Sequence, residues 1–302
     1  MNKPTQKYIG VLGATSLVGE HLLSTLQGIS EKIIAFSRHP NPPTDSVIKW
    51  RKPGEIVAID FLICLAPIWI LVESLPWIKK LGVQKIIALS STSRFTKQGS
   101  SVNSERLLAQ RLTEGEHCLE SWAVENDVDW VILRPTLIYG LGRDKNICEI
   151  AHFIRRFGFF PLLGKACGLR QPIHIEDVAY ACLAALNLES PNFQSLQSNV
   201  IHNGKENLYH AYNLSGGESL SYRAMVIRVF LALEKPPRLI HIPLWLFKLA
   251  LLLIRVLPRY KHWSPAMAER MNQDLVFDHS KAKLDFGFKP RCFRLDPQDL
   301  PK

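Results

Sequence analysis

Residues Tyr8–Leu23 read YIGVLGATSLVGEHLL, and the reading of this stretch decides the fold. A short apolar run, Tyr8-Ile9-Gly10-Val11-Leu12, enters the turn Gly13-Ala14-Thr15-Ser16-Leu17-Val18-Gly19. A helical pattern follows, with Leu17, Val18, His21, Leu22 and Leu26 on neighbouring turns. Strand, tight turn and helix N-terminus together hold a pyrophosphate: backbone N–H groups without helical partners point at the anion, and the helix dipole favours it. Gly13 lets the chain turn, and Gly19 lets the helix pack close to the strand. Ser16 stands where the usual fingerprint has its middle glycine, so its side chain has to fit beside a pyrophosphate or donate to it. An ordinary βα turn with two glycines is the alternative.

The second apolar run, Lys32–Phe36, ends in Ser37-Arg38-His39-Pro40. Its spacing from Gly13 is that of the residue beside an adenosine ribose, where a carboxylate would accept from the 2′-hydroxyl and favour NAD. Ser37 and Arg38 suit a 2′-phosphate instead, so NADP is the expected cofactor and NAD the alternative. Polar, proline-bearing residues 41–54 predict surface. Ile56–Leu65 is nearly continuous in apolar residues, as in a parallel strand buried on both faces, and ends at Ala66-Pro67. A helix is expected over Ile70–Leu81, started or kinked at Pro76. Next come a strand over Val83–Leu89 running into Ser90-Ser91-Thr92-Ser93, a long helix over 104–126 capped by Asn103 or Ser104, and a strand over Val128–Leu133 before Arg134-Pro135. This β-α alternation predicts an α/β fold, a Rossmann-type doubly wound parallel sheet.

Bulk composition narrows the class. A chain of 302 residues with 47% hydrophobic residues can bury a sizeable core. Its six cysteines, at 64, 118, 148, 167, 182 and 292, include no C-x-x-C pair, which argues against a structural zinc or a disulfide framework. No metal site is expected. MNKPTQK leads into the first strand without a signal-peptide pattern, so a cytoplasmic protein is expected. The net charge of +10 favours anionic partners. Basic blocks interleaved with aromatics are missing, so nucleic acid is not an expected partner.

These residues resemble the extended short-chain dehydrogenase/reductases, the NAD(P)-dependent epimerase/dehydratase superfamily. The resemblance rests on GATSLVG, Leu65-Ala66, Leu89-Ser90-Ser91-Thr92, LRPTLIYG (133–140), RQPIHIEDVA (170–179), YNLSGGE (212–218) and FGFKP (286–290), in that order along the chain. It implies an NAD(P)-binding Rossmann domain over 1–140. A smaller substrate lobe would take 141–302, with segments near 171–187 packing back on the sheet. It also implies a cofactor site of Gly13, Thr15, Ser16, Leu17, Val18, Gly19, Ser37, Arg38, Leu65, Ala66, Pro67, Ser90, Arg111 and Pro135. The implied partner is a nucleotide sugar or other phosphorylated sugar. Family members pair a catalytic Ser/Thr with Tyr-x-x-x-Lys on the next helix, where the tyrosine is the acid/base and the lysine lowers its pKa and holds the ribose.

From Gln98 to Trp130 this sequence has neither tyrosine nor lysine. Counting back from Arg134 and Glu116, the tyrosine place falls on Leu107 or Leu108, and the lysine place on Arg111 or Leu112. Thr92 fits the catalytic hydroxyl. Tyr139, His174 and Lys97 are the groups available to move a proton, with Tyr139 the chosen catalytic candidate beside Thr92. Three functions stand open: an epimerase, dehydratase or reductase acting on a nucleotide sugar or lipid-linked sugar; a non-catalytic NADP-binding subunit or scaffold; and a reductase of a small carbonyl or quinone.

On the substrate side, Thr92, Arg143, Arg170 and His174 are the expected contacts, with Arg170 in the family's place for gripping a diphosphate; His174 and Asp177 also read as residues that pack against and cap a helix over Asp177–Leu186. Residues 188–209 predict a mobile surface loop. A helix capped by Ser221 is expected through Leu233. Pro243–Pro258, PLWLFKLALLLIRVLP, is apolar except for Lys248 and Arg255, and is too short to span a bilayer. It reads either as a buried lobe or subunit-interface helix, consistent with a homodimer, or as a membrane-surface contact through 243–263 that would place the protein peripherally at the inner face.

Overall fold

Seven strands lie side by side as one parallel sheet in the computed structural model, which describes residues 7–28, 32–39, 47–188, 210–246 and 265–302. The strands are β1 (Ile9–Leu12), β2 (Ile33–Phe36), β3 (Lys49–Arg51), β4 (Phe61–Cys64), β5 (Lys85–Leu89), β6 (Asp129–Pro135) and β11 (Ala211–Leu214), in the order β11-β6-β5-β4-β1-β2-β3. From β1 the chain runs outward through β2 and β3. It then returns to β1's other side and runs outward again through β4, β5 and β6. The reversal puts a crevice beyond the carboxyl ends of β1 and β4, the place where such sheets take their ligands.

Both faces are covered. α1 (Leu17–Gln27) and α6 (Ile175–Leu186) share one apolar cluster with β1 and β11. α2 (Ile68–Ile78) and α4 (Asn103–Glu125) share the other with β4, β5 and β6. That covering is why β1, β2 and the inner residues of β5 are apolar without alternation. The sheet therefore takes material from well beyond residue 140, through α6 and β11. A third cluster forms the lobe: α5 (Ile147–Phe157), β8 (Phe160–Leu163), α7 (Tyr222–Ala232), Tyr139 and Phe293.

Several element boundaries differ from the sequence expectation, each for a local reason. Only Phe61–Cys64 of the run Ile56–Leu65 joins the sheet, because Ile59 N–H donates to Leu81 O and the Asp60 carboxylate accepts from Tyr8 N–H at 2.6 Å before the strand begins. Part of 41–54 is a strand, the exposed edge β3. α2 starts at Ile68 behind Pro67 and holds Pro76 inside it. α4 follows Val102 without a side-chain cap; Asn103 Oδ1 instead accepts from Arg106. α6 begins two residues early because the His174 side chain caps it, accepting from Glu176 N–H. Ser221 caps α7 as expected, by accepting from Ala224 N–H at 3.1 Å. The expected loop residues 189–209 and residues 247–264 of the apolar stretch lie outside the described residues.

Candidate active site

The crevice is built from the carboxyl ends of neighbouring strands. Gly13 follows β1, Leu65-Ala66-Pro67 follow β4, Ser90 and Thr92 follow β5, and Pro135 closes β6. The glycine turn is tight. Gly13 has φ +83°, and a Cβ there would stand 2.7 Å from Ala66 N. A Cβ at Gly19 would stand 2.5 Å from Ala14 O. Only glycine fits either place, and the backbone is left bare where an anion would approach. Ser16 is the α1 N-cap: its Oγ accepts from Gly19 N–H at 3.1 Å. Its side chain is thus folded onto the helix end. Thr15 is exposed, Leu17 is half-buried and Val18 packs into the core.

At the β2 end, the Ser37 hydroxyl is buried and accepts from His39 N–H at 3.2 Å, while Arg38 is exposed. No carboxylate occurs in Ser37–His39. Arg111 is exposed on α4, its guanidinium over the Trp69 ring of α2 at 6.0 Å. Arg143 joins the lobe's first segment to the first turn of α1, where it pairs with Glu20 through both guanidinium nitrogens. A cation thus stands beside the turn and offsets an acid that would repel a phosphate.

Under the floor of the crevice lies a charged cluster that the sequence reading used only as a counting mark. Glu116, on α4, is 0% exposed. Its carboxylate accepts from Arg94 of α3 (Ser93–Thr96), from Arg134 of β6 and from Ser90 Oγ at 2.5 Å. The Phe95 ring covers both guanidinium groups at 5.4 and 5.3 Å. These bonds tie α4 to the ends of β5 and β6. The signal for the cluster was a lone acid on the otherwise small or apolar α4 face of Ala109, Leu112, Gly115, Leu119 and Ala123. One and two turns before Glu116 that face carries Leu112 and Leu108, both packed against the α2 side of the sheet. Thr92 is buried, and its N–H and Oγ1 both donate to Pro135 O, at 3.1 and 3.2 Å.

Three expected site residues are placed elsewhere. Tyr139, in β7 (Ile138–Tyr139), is 0% exposed, and its hydroxyl accepts from Arg294 N–H inside the lobe core. Burial pushes the Tyr139 pKa up to about 12, the wrong direction for a group that gives and takes protons near neutrality. His174, in β10 (Ile173–His174), is 3% exposed, with Nδ1 used in the α6 cap and Nε2 at 3.2 Å from Asp299 Oδ1. Arg170, in β9 (Leu169–Arg170), donates to Leu169 O, Gln273 O and Arg270 O, bracing α8 (Pro265–Asn272) and the residue after it. Apolar surroundings and nearby backbone acceptors give all three structural work instead. Lys97 differs from them. It follows α3 directly, is half-buried, and its pKa is lowered by burial and by the charge of Arg270.

The Asp299–His174 contact yields a pH prediction. Burial pushes the Asp299 carboxyl up, but His174 and the amides of Asp296 and Leu141 outweigh it and hold the group below the ordinary carboxylate range. A lowered pKa contributes stability that is full above the unfolded value and is lost as pH falls through the folded one. We predict that the wild type's advantage over Asp299→Asn in urea midpoint is full at about pH 6 and shrinks below about pH 4. An advantage that grows on acidification would contradict this.

Residues 71–196 match the profile of the NAD dependent epimerase/dehydratase family. Over that stretch, less than half of its length, the chain is similar to that family. Solved structures share the fold of this chain. UDP-glucuronic acid 4-epimerase of Bacillus cereus, in complex with NAD, superposes with TM-score 0.67 at 16% identity, over 97% of this chain and 95% of that one. UDP-glucose 4-epimerase of Thermotoga maritima gives TM-score 0.64 at 14% identity, over 94% and 93%. Among curated proteins, the uncharacterized protein y4nG of Sinorhizobium fredii (strain NBRC 101917 / NGR234) is 24% identical over 217 residues, 70% of this chain and 50% of that protein. The chain thus spans half the length of the curated relative it matches. Among the described residues no group of His, Cys, Asp and Glu is arranged to hold a metal.

Proposed function

We propose that this epimerase-like chain binds NADP at the glycine turn and presents it to a phosphorylated sugar, either nucleotide-linked or lipid-linked. The observation that carries the reading is the pair Gly13 and Gly19, where any Cβ would strike backbone and where α1 points its N-terminus at the crevice. Thr15, Ser16, Leu17 and Val18 would complete the cradle. Leu65, Ala66, Pro67, Ser90 and Pro135 would line the path towards the nicotinamide, with Arg111 at its edge. A bound nicotinamide supplies reversible hydride acceptance, and the chain supplies orientation and charge. Arg143 neutralises Glu20 beside the phosphates. Thr92 Oγ1, whose proton goes to Pro135 O, is left to accept from a sugar hydroxyl. Of the groups that stand in for a tyrosine, Lys97 is the one outside the buried interior, with a pKa moved towards neutrality. A homodimer and a membrane-surface contact through 243–263 belong to the same reading.

The ribose end favours NADP over the NAD bound in the B. cereus structure. Arg38 is exposed at the end of β2 and matches a 2′-phosphate in charge and in its forked donors. We predict that Arg38→Asp weakens NADP at least about tenfold and strengthens NAD, the loss of one charge-assisted contact being worth about 1.5–3 kcal/mol. Competition titrations with the two dinucleotides check this; an unchanged ratio would contradict it.

A second reading, a binding protein without turnover, is favoured by Leu108 and Leu112 on the α4 face where a proton donor would stand. Adding nucleotide sugars or polyprenyl-linked sugars to the NADP complex separates the two. A change at the reduced-nicotinamide absorbance supports turnover, and an unchanged spectrum with every sugar supports the binding protein.

A further inference from the structure

Two segments of this chain contain no acid at all. Residues 150–175 hold Arg155, Arg156, Lys165 and Arg170, and residues 235–268 hold Lys235, Arg238, Lys248, Arg255, Arg259 and Lys261. These ten cations equal the whole net charge of +10, so the rest of the chain balances at 27 of each sign.

The fold brings the first segment together with the described part of the second, residues 235–246. β13 (Leu239–Ile242) runs parallel to β8, pairing Leu239 with Phe160 and Ile242 with Leu163. Phe160 N–H donates to Arg238 O at 2.9 Å, and Lys235 Nζ donates to Arg155 O at 3.4 Å. The surface they share is apolar as well as basic. Trp245 is 68% exposed, with Leu244 and Leu246 exposed on either side of it. Ile240 stands out from β13, and Phe157 from the end of α5 beneath the Arg156 guanidinium at 5.1 Å. Ring contacts of Phe153 with Phe157, Phe159 and Phe160 stiffen this end of the lobe.

We propose that this face docks on an anionic lipid surface. The positive charge of Arg155, Arg156, Lys235 and Arg238 draws the face to acidic headgroups, and the exposed tryptophan and aliphatic side chains enter the boundary between headgroups and acyl chains. A nucleic acid would use the cations but gains nothing from Leu244, Leu246 and Ile240. Among the described residues no helix is long and apolar enough to cross a membrane. A sugar carried on a lipid would then reach the lobe from the surface on which the protein sits.

Co-sedimentation of the full chain with vesicles tests the docking independently of any cofactor or substrate. The protein is expected to pellet with phosphatidylcholine vesicles containing about 30% phosphatidylglycerol at about 0.1 M salt, and to be released by about 0.5 M salt. It should remain in solution with phosphatidylcholine alone. Arg156 and Arg238 are exposed, and Arg156→Glu with Arg238→Glu should cut the bound fraction at least about tenfold. Trp245→Ser should cut it about threefold or more while the melting temperature holds. A full chain that stays in the supernatant with the anionic vesicles overturns the proposal, as does binding untouched by the double charge reversal. Gel filtration in which that reversal turns a dimer into a monomer, without vesicle binding by the parent, assigns the face to a second copy and overturns it too.

Discussion

Glu116→Ala is expected to cost about 3–5 kcal/mol of stability and to lower the melting temperature by on the order of 10 °C. The size of the effect follows from what the substitution leaves behind. Arg94 and Arg134 are 2% and 8% exposed, and both direct guanidinium groups at the Glu116 carboxylate. Without it they face each other's charge and the Phe95 ring in a space that water hardly reaches. Glu116→Gln keeps the shape and one acceptor oxygen, so its cost should fall between those of the wild type and the alanine variant. Replacing the trio together, with Glu116→Leu, Arg94→Met and Arg134→Met, should recover much of the loss, because the desolvation of three charges disappears with them. Urea unfolding of the four proteins checks the order. An alanine variant within about 1 kcal/mol of wild type would show that the cluster does not tie α4 to the strand ends.

The second large effect concerns binding. Gly19→Val is expected to weaken NADP at least about 100-fold, a loss of about 2.7 kcal/mol. Its Cβ would stand 2.5 Å from Ala14 O and 2.7 Å from Gly13 O, so the first turn of α1 must move off the glycine turn. The amides that would meet a pyrophosphate move with it. Gly13→Ala acts through a different strain: φ +83° costs a side chain about 1–3 kcal/mol before the contact with Ala66 N is counted. Gly99→Ala serves as the control, since a Cβ there meets nothing within 4 Å and binding should match wild type. Fluorescence titration on variants that retain the wild-type circular dichroism measures all three. Tight NADP binding by Gly19→Val would remove the glycine turn from the site.

Much of the fold was legible because its signals are local. The glycine turn, the apolar runs of β1, β2 and β5, and the Ser221 cap all depend on residues close in sequence. What escaped the sequence depends on distant partners. Ile56–Leu65 looks like one strand, but the main-chain bond from Ile59 to Leu81 holds its first half off the sheet. β8 and β13 gave no sign of pairing, because they meet across some 80 residues and neither alternates. The site shows the same division. Gly13 and Gly19 announce themselves by type and spacing. Tyr139, His174 and Arg170 are of reactive types, but their neighbours were invisible: Arg294 N–H, Asp299 and the carbonyls of Arg270 and Gln273 occupy them. Glu116 was visible as a residue and hidden as a hub, since Arg94 and Arg134 come from two other elements.

Calorimetric titration of the purified full chain with NADP and with NAD tests the central claim most directly. The account predicts one site per chain, NADP bound at least about tenfold more tightly than NAD, and no heat of binding from Gly19→Val. A folded chain that binds neither dinucleotide would contradict it.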